Sequence, residues 1–246
     1  MAASLRSIAC SALCVWIGAI LLLLERCVVH CKDNNPIFNP CGDTQVQISD
    51  GFTFGLVFNS NGSFFQNHVQ LSPCDRRLNM FSARMTVFRP KVDEISLLTI
   101  NTSTFAPQDS GGYMVAFAGS RFAATSLPQF VADGTYTITS FSVVLNFDKG
   151  RLMSFLWKND GCKSCQGNSS FVCVKGQDCA VRTSDCKNRG GKVDCSLGIQ
   201  LTFSGTDKKD AVLNSWYQVD SLHQYSLYNL YSGLRDSLTS QYNRFF

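Results

Sequence analysis

The chain has 246 residues, enough for one large domain or two small ones, and 45% of them are hydrophobic, as in an ordinary globular protein. Its formal net charge of +4 is spread along the sequence without a run of five or more basic residues, which argues against nucleic-acid binding. A charged fraction of only 16%, 19 phenylalanines and two glutamates together favour strands over helices.

The first 31 residues predict a secretory signal peptide. Arg6 precedes the apolar stretch Ile8–Leu24, and cleavage after Cys31 would remove four cysteines and leave eight, an even number. If this segment is not cleaved, its apolar stretch of 17 residues is just long enough to span a bilayer, which takes ~17–25 residues. The alternative is therefore a signal-anchored plasma-membrane protein, in which membrane contact depends on this segment alone.

Residues 32–158 are predicted to form an antiparallel β-sandwich-like body. Apolar residues alternate with polar or small ones in several short runs, most clearly in Phe52–Leu56 and in Phe141–Phe147. Asp148-Lys149-Gly150 predicts a hairpin turn that leads into Met153–Trp157. Strands at this spacing, separated by Gly, Pro, Asn and Ser, are typical of an antiparallel sandwich or barrel, and no helix–strand alternation indicates a parallel sheet.

Residues 159–205 are predicted to form a cysteine-rich module with a final strand over Ile199–Phe203. Its segment Gly161–Cys195 holds six of the 12 cysteines and few core-forming residues, so covalent cross-links are the expected source of its stability. The spacing Cys162-x2-Cys165 also fits a zinc knuckle, but the segment has no histidine and a secretory compartment is oxidising. We therefore expect disulfides and no metal. The disulfide candidates are Cys41, Cys74, Cys162, Cys165, Cys173, Cys179, Cys186 and Cys195.

Pairing of the cysteines is only partly constrained by the sequence. Cys41 and Cys74 are the two cysteines of the expected mature chain that lie outside the cluster, so their pairing with each other is the simplest assumption. The six remaining cysteines leave their connectivity open.

Residues 206–246 are predicted to form a C-terminal helical segment. Leu222, Leu227, Leu230, Leu234 and Leu238 recur at three- to five-residue spacing, which indicates an amphipathic helix over roughly Ser221–Arg244. We expect this helix to pack against the body.

Three N-glycosylation sequons begin at Asn61, Asn101 and Asn168. Asn61 and Asn168 lie in turn-like stretches, whereas Asn101 follows a strand pattern. The sequons, the secretory signal and the even number of cysteines agree with one another, because all three are expected of a protein that enters the secretory pathway.

Catalytic motifs receive little support. Asp109-Ser110-Gly111-Gly112 resembles part of a serine-protease nucleophile motif, but its flanks differ and His68 has no protease signature around it. A glycoside hydrolase needs two carboxylates on opposite sides of a bond, and they could come only from aspartates distant in the sequence. Sugar binding without catalysis would need stacking aromatics, for which Trp157 and Trp216 are the candidates. The alternative for both tryptophans is core packing.

Long stretches of the chain resemble a plant family of secretory-pathway proteins called Expp-one. The matching stretches lie between Pro36 and Phe246 and include NPIFNPC, SDGFTFGLVF, FRPKVDEISLLTINTSTF, GGYMVAFAG, KNRGGKVDCSLGIQLTFSGTDK and SLYNLYSGLRDSLTSQYNRFF. The resemblance implies a plant source and an extracellular or plasma-membrane-associated location. It implies no activity, and no site residue is carried over from it.

Together these observations predict a secreted, disulfide-stabilised, mainly β protein that is not an enzyme and needs no cofactor. We expect its partner to be a cell-wall polysaccharide or another extracellular protein. The competing hypothesis is a secreted hydrolase whose carboxylate site is built from distant aspartates.

Overall fold

The computed structural model describes residues 33–103, 105–159, 161–162, 165, 171–175 and 178–219. Three predicted features therefore lie outside the described residues: the signal segment 1–31, the sequon asparagine Asn168 and the C-terminal helix 221–244. The described residues belong to one compact unit.

Strands account for most of the regular structure, and no α-helix occurs in the described residues. The strands are β1 (Phe54–Asn59), β2 (Phe65–Gln66), β3 (Val69–Gln70), β4 (Arg84–Phe88), β5 (Ser96–Ile100), β6 (Tyr113–Ala118), β7 (Ala124–Thr125), β8 (Gln129–Phe130), β9 (Tyr136–Ile138), β10 (Ser140–Asp148), β11 (Arg151–Lys158), β12 (Phe171–Val174), β13 (Asp178–Arg182), β14 (Leu197–Thr206) and β15 (Val212–Leu213). Short 3-10 helices span Asn61–Phe64, Pro107–Ser110, Thr183–Asp185, Lys187–Arg189 and Ser215–Gln218.

Two five-stranded sheets form the body. The first has the order β4-β1-β6-β7 with β8 also on β6, and the second has the order β11-β10-β14-β15 with β5 also on β14. Every named strand pair in these sheets is antiparallel except β10–β14, in which Val143 lies opposite Leu201 in parallel register. The mainly β, antiparallel architecture is thus confirmed, whereas this parallel pair was not predicted.

The parallel pair follows from the path of the chain. After β10 the chain turns back through β11 and the cysteine-rich segment, and it then re-enters beside β10 in the same direction. The final strand, which sequence analysis grouped with the cysteine-rich module, therefore lies inside the second sheet of the body.

The main core lies between the two sheets. On β1 the even-numbered side chains face inward, and on β10 and β14 the odd-numbered ones do, as the strand period of two requires. Phenylalanines join the layers: the ring of Phe54 lies 5.7 Å from that of Phe155, and Phe52 meets Phe147 edge-on at 5.1 Å. The high phenylalanine content is explained by this aromatic core.

The predicted hairpin turn between β10 and β11 is confirmed. Asp148 pairs with Arg151, and both central residues, Lys149 (φ 47°) and Gly150 (φ 75°), adopt the left-handed conformation. Positive φ at both central positions is the geometry of a type I′ turn, whose twist suits a two-residue hairpin.

A second, smaller core covers the outer face of the first sheet. Val57, Phe64, Val115 and Phe117 are buried there beneath chain segments that include the Cys41–Cys74 disulfide. Phe117 lies across Gly55 on the neighbouring strand, where a Cβ atom would come within 2.3 Å of the ring. Glycine at this position lets the aromatic ring lie flat on the sheet.

A third, three-stranded sheet has the order β12-β13-β9 and joins the cysteine-rich segment to the body through β9. The predicted Cys41–Cys74 pair is confirmed, and the cluster contains the pairs Cys162–Cys173, Cys165–Cys179 and Cys186–Cys195. The sulfur atoms of Cys162, Cys165 and Cys179 lie within 4.8 Å of one another, but all three are already bonded in these disulfides.

Candidate binding site

A polar surface depression of about 600 Å³ opens between two loop regions beside the first sheet. One wall comes from residues 70–75, the other from residues 120–125, and Met153 of β11 completes it. The lining residues are Gln70, Leu71, Ser72, Cys74, Asp75, Ser120, Ala123, Ala124, Thr125 and Met153. Hydroxyl, amide and carboxylate groups therefore surround the opening, with a few apolar side chains between them.

The first wall is fixed by a disulfide and a series of turns. Cys74 is bonded to Cys41, its N–H donates to the Ser72 hydroxyl (3.3 Å), and the N–H of Asp75 donates to the Ser72 carbonyl (2.8 Å). The side-chain amide of Gln70 donates to the carbonyl of Ser126 at 2.6 Å. This bond ties β3 to the residue that follows the second wall in the sequence.

The second wall is a loop wrapped around the Asp43 carboxylate. Asp43 accepts hydrogen bonds from the backbone N–H groups of Ser120 (3.0 Å), Arg121 (3.1 Å) and Phe122 (3.0 Å). Gly119 enters the loop with φ 76°, and a Cβ atom there would lie 2.9 Å from an Asp43 oxygen. The loop geometry therefore depends on both Asp43 and Gly119.

The charge on Asp43 is favoured by these same contacts. Burial acts to raise the pKa of Asp43, but the three N–H hydrogen bonds and the positive charge of Arg121 outweigh it and leave the pKa below its ordinary value. The carboxylate is thus ionised at neutral pH and acts as a fixed acceptor for the loop.

Phe122 belongs to the loop of the second wall, where it lies in sequence between the lining residues Ser120 and Ala123. It is 53% exposed, and it lines a separate, smaller depression together with Asp43 and Arg151. The guanidinium carbon of Arg151 lies 4.1 Å from the centroid of the Phe122 ring. A cation over one face of the ring stabilises its position.

The carboxylate that lines the depression is held in its ionised form. Asp75, which lines it, forms a two-pronged ion pair with Arg77, and these hydrogen bonds lower the pKa of Asp75 to about 2. A general acid in glycoside hydrolysis needs a raised pKa. Asp33, Asp43, Asp194 and Asp207 of the described residues likewise have lowered pKa values.

The two tryptophans expected to stack on sugars lie elsewhere. Trp157 is half-buried at the margin of the main core, edge-on to Phe141 with ring centroids 6.0 Å apart. Trp216 is also half-buried and packs against Val144 and Val219 on the second sheet. Neither side chain lines the depression, and the contacts of both are those of core packing.

Other residues considered in the sequence lie in turns. His68 is exposed at the tip of the β2–β3 hairpin, with φ 66°. Asp109 and Ser110 belong to a 3-10 helix that ends at Gly111 (φ 94°), and Asp109 forms an ion pair with Arg189 of the cysteine-rich segment. The sequon asparagines Asn61 and Asn101 are both exposed.

Sequence reasoning missed the residues that shape the depression. Asp43 sits in the ordinary-looking stretch Cys41-Gly42-Asp43, and Phe122 follows a turn signal at Gly119-Ser120. Turn residues next to an isolated aromatic residue were the feature of the sequence that could have indicated Phe122. The sequence does not reveal, however, that the segment with Asp43 contacts the loop with Phe122.

No helix within the described part of the chain is long and apolar enough to cross a membrane. Residues 12–137 and 132–239 match the model of a protein family described as "Uncharacterised protein DDB_G0273449". The two matches together extend over most of the chain. Comparisons with curated proteins and with solved structures gave no match.

Proposed function

We propose that this chain, which belongs to the family described as "Uncharacterised protein DDB_G0273449", is a secreted, non-enzymatic plant protein that binds a cell-wall glycan. The signal-like N-terminus, the three sequons and the resemblance to the Expp-one family support secretion and a plant source. The four disulfides agree with an oxidising compartment.

The observation that carries the glycan proposal is the exposed Phe122 ring on the loop that forms the second wall of the polar depression. A sugar ring has an apolar C–H face and a periphery of hydroxyl groups. An aromatic side chain offers a matching apolar surface, and Ser72, Thr125 and Gln70 offer hydrogen-bonding groups in the lining of the depression.

The walls of the depression are held in place without a ligand. The Cys41–Cys74 disulfide fixes one loop and the Asp43 carboxylate fixes the other. A site that is already ordered loses less conformational entropy on binding, which favours affinity.

A binding role is better supported than hydrolysis. The lining carboxylate Asp75 has a pKa of about 2 and is paired with Arg77, so it is a poor proton donor near neutral pH. The depression supplies hydrogen-bonding groups and the loop of its second wall supplies the exposed Phe122 ring, which together suit recognition.

A glycan-array screen tests the proposal. The chain from Lys32, expressed through an oxidising secretory pathway, should bind a wall polysaccharide, and Phe122→Ala should weaken binding about tenfold, equal to about 1.4 kcal/mol. Leu97→Ala is the matched control, because Leu97 is 73% exposed but lies on the second sheet.

Absence of binding across the array would redirect the search to an extracellular protein partner. Binding that survives Phe122→Ala but fails in Trp216→Ala would move the site to the second sheet. N-terminal sequencing of the protein expressed from the full chain distinguishes a secreted protein from a signal-anchored one. A chain that begins at Lys32 has lost the apolar segment that would serve as the anchor.

A further inference from the structure

A second depression, of about 320 Å³, lies between the edge strands of the two sheets, away from the depression beside Phe122. It is lined by Phe58, Arg84, Met85, Thr86, Ile100, Asn101 and Phe105. The rings of Phe58 and Phe105 meet inside it with centroids 4.9 Å apart, and Met85 at its margin is 61% exposed. The depression therefore presents apolar side chains to solvent at its margin, above the buried ring of Phe58.

The strands on either side of this opening are edges. Among the described strands β4 pairs only with β1, and β5 pairs only with β14. Each has one side without a neighbouring strand, and exposed apolar residues such as Met85 and Leu97 lie on them. Edges of this kind promote association with other chains unless something covers them.

Asn101 lines the opening and belongs to a sequon. Its side-chain oxygen accepts a hydrogen bond from the N–H of Ser103 (2.7 Å), so the sequon forms a tight turn directly after β5. Asn101 and Ser103 are both exposed. The Asn101 side-chain nitrogen makes no hydrogen bond to any described residue, and it is the atom to which an N-linked sugar attaches.

The turn is anchored from its other side. Thr102 is buried, and its carbonyl accepts a hydrogen bond from the side-chain amide of Asn188 at 3.1 Å. Asn188 lies within the loop closed by Cys186 and Cys195. The cysteine-rich segment thus fixes the direction in which the sequon is presented.

We infer that Asn101 carries an N-linked glycan whose first N-acetylglucosamine lies over the depression and covers the gap between β4 and β5. The acetyl methyl group and the C–H face of this sugar match the partly exposed Phe105 ring and the exposed Met85 side chain, and its polar groups lie near Arg84. The glycan would then shield both edges from association. This inference rests on the secretion proposed above.

The donor in this modification is a lipid-linked oligosaccharide diphosphate of the secretory pathway. The side-chain nitrogen of Asn101 forms a bond to C1 of the first sugar, and the bond from C1 to the diphosphate oxygen breaks. The lipid diphosphate leaves with the electron pair of that bond, and the amide proton passes to it.

Peptide mapping by mass spectrometry of the secreted protein tests the attachment, with Asn61 as the internal comparison. A glycan on Asn101, lost in Ser103→Ala, supports the inference. Unmodified Asn101 beside glycosylated Asn61 overturns the inference but leaves secretion standing. If neither asparagine is modified, both the inference and its premise of secretory glycosylation fail.

The oxidation of two methionines tests the covering. Met85 (61% exposed) lines the depression, and Met153 (57% exposed) on β11 is the matched control. In the glycosylated protein Met85 should be oxidised by peroxide severalfold more slowly than Met153. In Ser103→Ala the two rates should agree within about twofold, because oxidation follows exposure.

Trimming the glycan to its first sugar with an endoglycosidase should leave Met85 protected, because this sugar alone lies at the depression. Equal oxidation of Met85 and Met153 in the fully glycosylated protein would overturn the covering role. Asn101→Gln should reproduce the result of Ser103→Ala, since both abolish the sequon at exposed positions.

Discussion

Removing the Cys41–Cys74 disulfide should lower the free energy of unfolding substantially. The two cysteines are 33 residues apart, and the chain-entropy relation gives a contribution of about 3.7 kcal/mol for a loop of this length. Both side chains also pack against the small core under Phe117, so the variant Cys41→Ala/Cys74→Ala loses some sulfur contacts in addition. At about 2–4 °C per kcal/mol for a domain of this size, the melting temperature should fall by roughly 7–15 °C.

Urea unfolding at neutral pH measures this effect. The control is Cys186→Ala/Cys195→Ala, which opens a loop of separation 9 and should cost about 2.6 kcal/mol by the same relation. The first variant should also bind glycan more weakly, because the loop 71–75 forms one wall of the depression. An equal or smaller loss of stability for Cys41–Cys74 than for Cys186–Cys195 would refute the entropic reasoning.

Three further predictions concern the core, the outer face of the first sheet and the pH dependence of stability. Phe203→Ala should cost about 3–5 kcal/mol in chemical denaturation, because the side chain is fully buried and packs against Phe147; a loss below about 1 kcal/mol would contradict its place in the core. Gly55→Ala should cost about 1–3 kcal/mol, because the new methyl group collides with the Phe117 ring, and Phe117→Leu should relieve part of that loss in a double-mutant cycle. Burial acts to raise the pKa of Asp207, but hydrogen bonds from N–H groups, including that of Lys209, outweigh it. The pKa of Asp207 in the folded protein therefore lies below the unfolded value. The stability that this carboxylate adds is therefore present above the unfolded pKa and is lost as pH falls through the folded pKa. Melting temperatures followed from pH 6 into the acid range should decline less in Asp207→Asn than in the parent; parallel curves would exclude this contribution.

Local features of the sequence predicted the local features of the fold. Alternation over Phe141–Phe147 and the turn at Lys149-Gly150 are encoded within a few residues, so the β10–β11 hairpin could be predicted. The parallel pairing of β10 with β14 could not, because strand alternation identifies the buried face but not the neighbouring strand. The Cys41–Cys74 pair was predictable because the expected mature chain has two cysteines outside the cluster.

The candidate site was predictable only in its chemistry. A sugar-binding surface needs an exposed aromatic residue, and sequence reasoning chose Trp157 and Trp216 because tryptophan has the largest ring. Both pack against neighbouring side chains, whereas Phe122, on the second wall, is 53% exposed. Exposure depends on contacts such as that between Asp43 and the loop 119–123, which lie more than 75 residues apart in the sequence.

The parallel pair has a consequence for the order in which the chain becomes structured during synthesis. Strand β10 is synthesised well before β14, because the whole cysteine-rich segment lies between the two strands in the sequence. Val143 of β10 must therefore wait for its partner Leu201 of β14. Until β14 has been synthesised, the edge of β10 that pairs with it has no neighbouring strand. Pairing between strands so far apart in the sequence makes folding slow. The middle of the second sheet is therefore completed late, after the whole cysteine-rich segment has been synthesised. A chain shortened before Leu197 would lack the centre of its sandwich and expose an aggregation-prone edge.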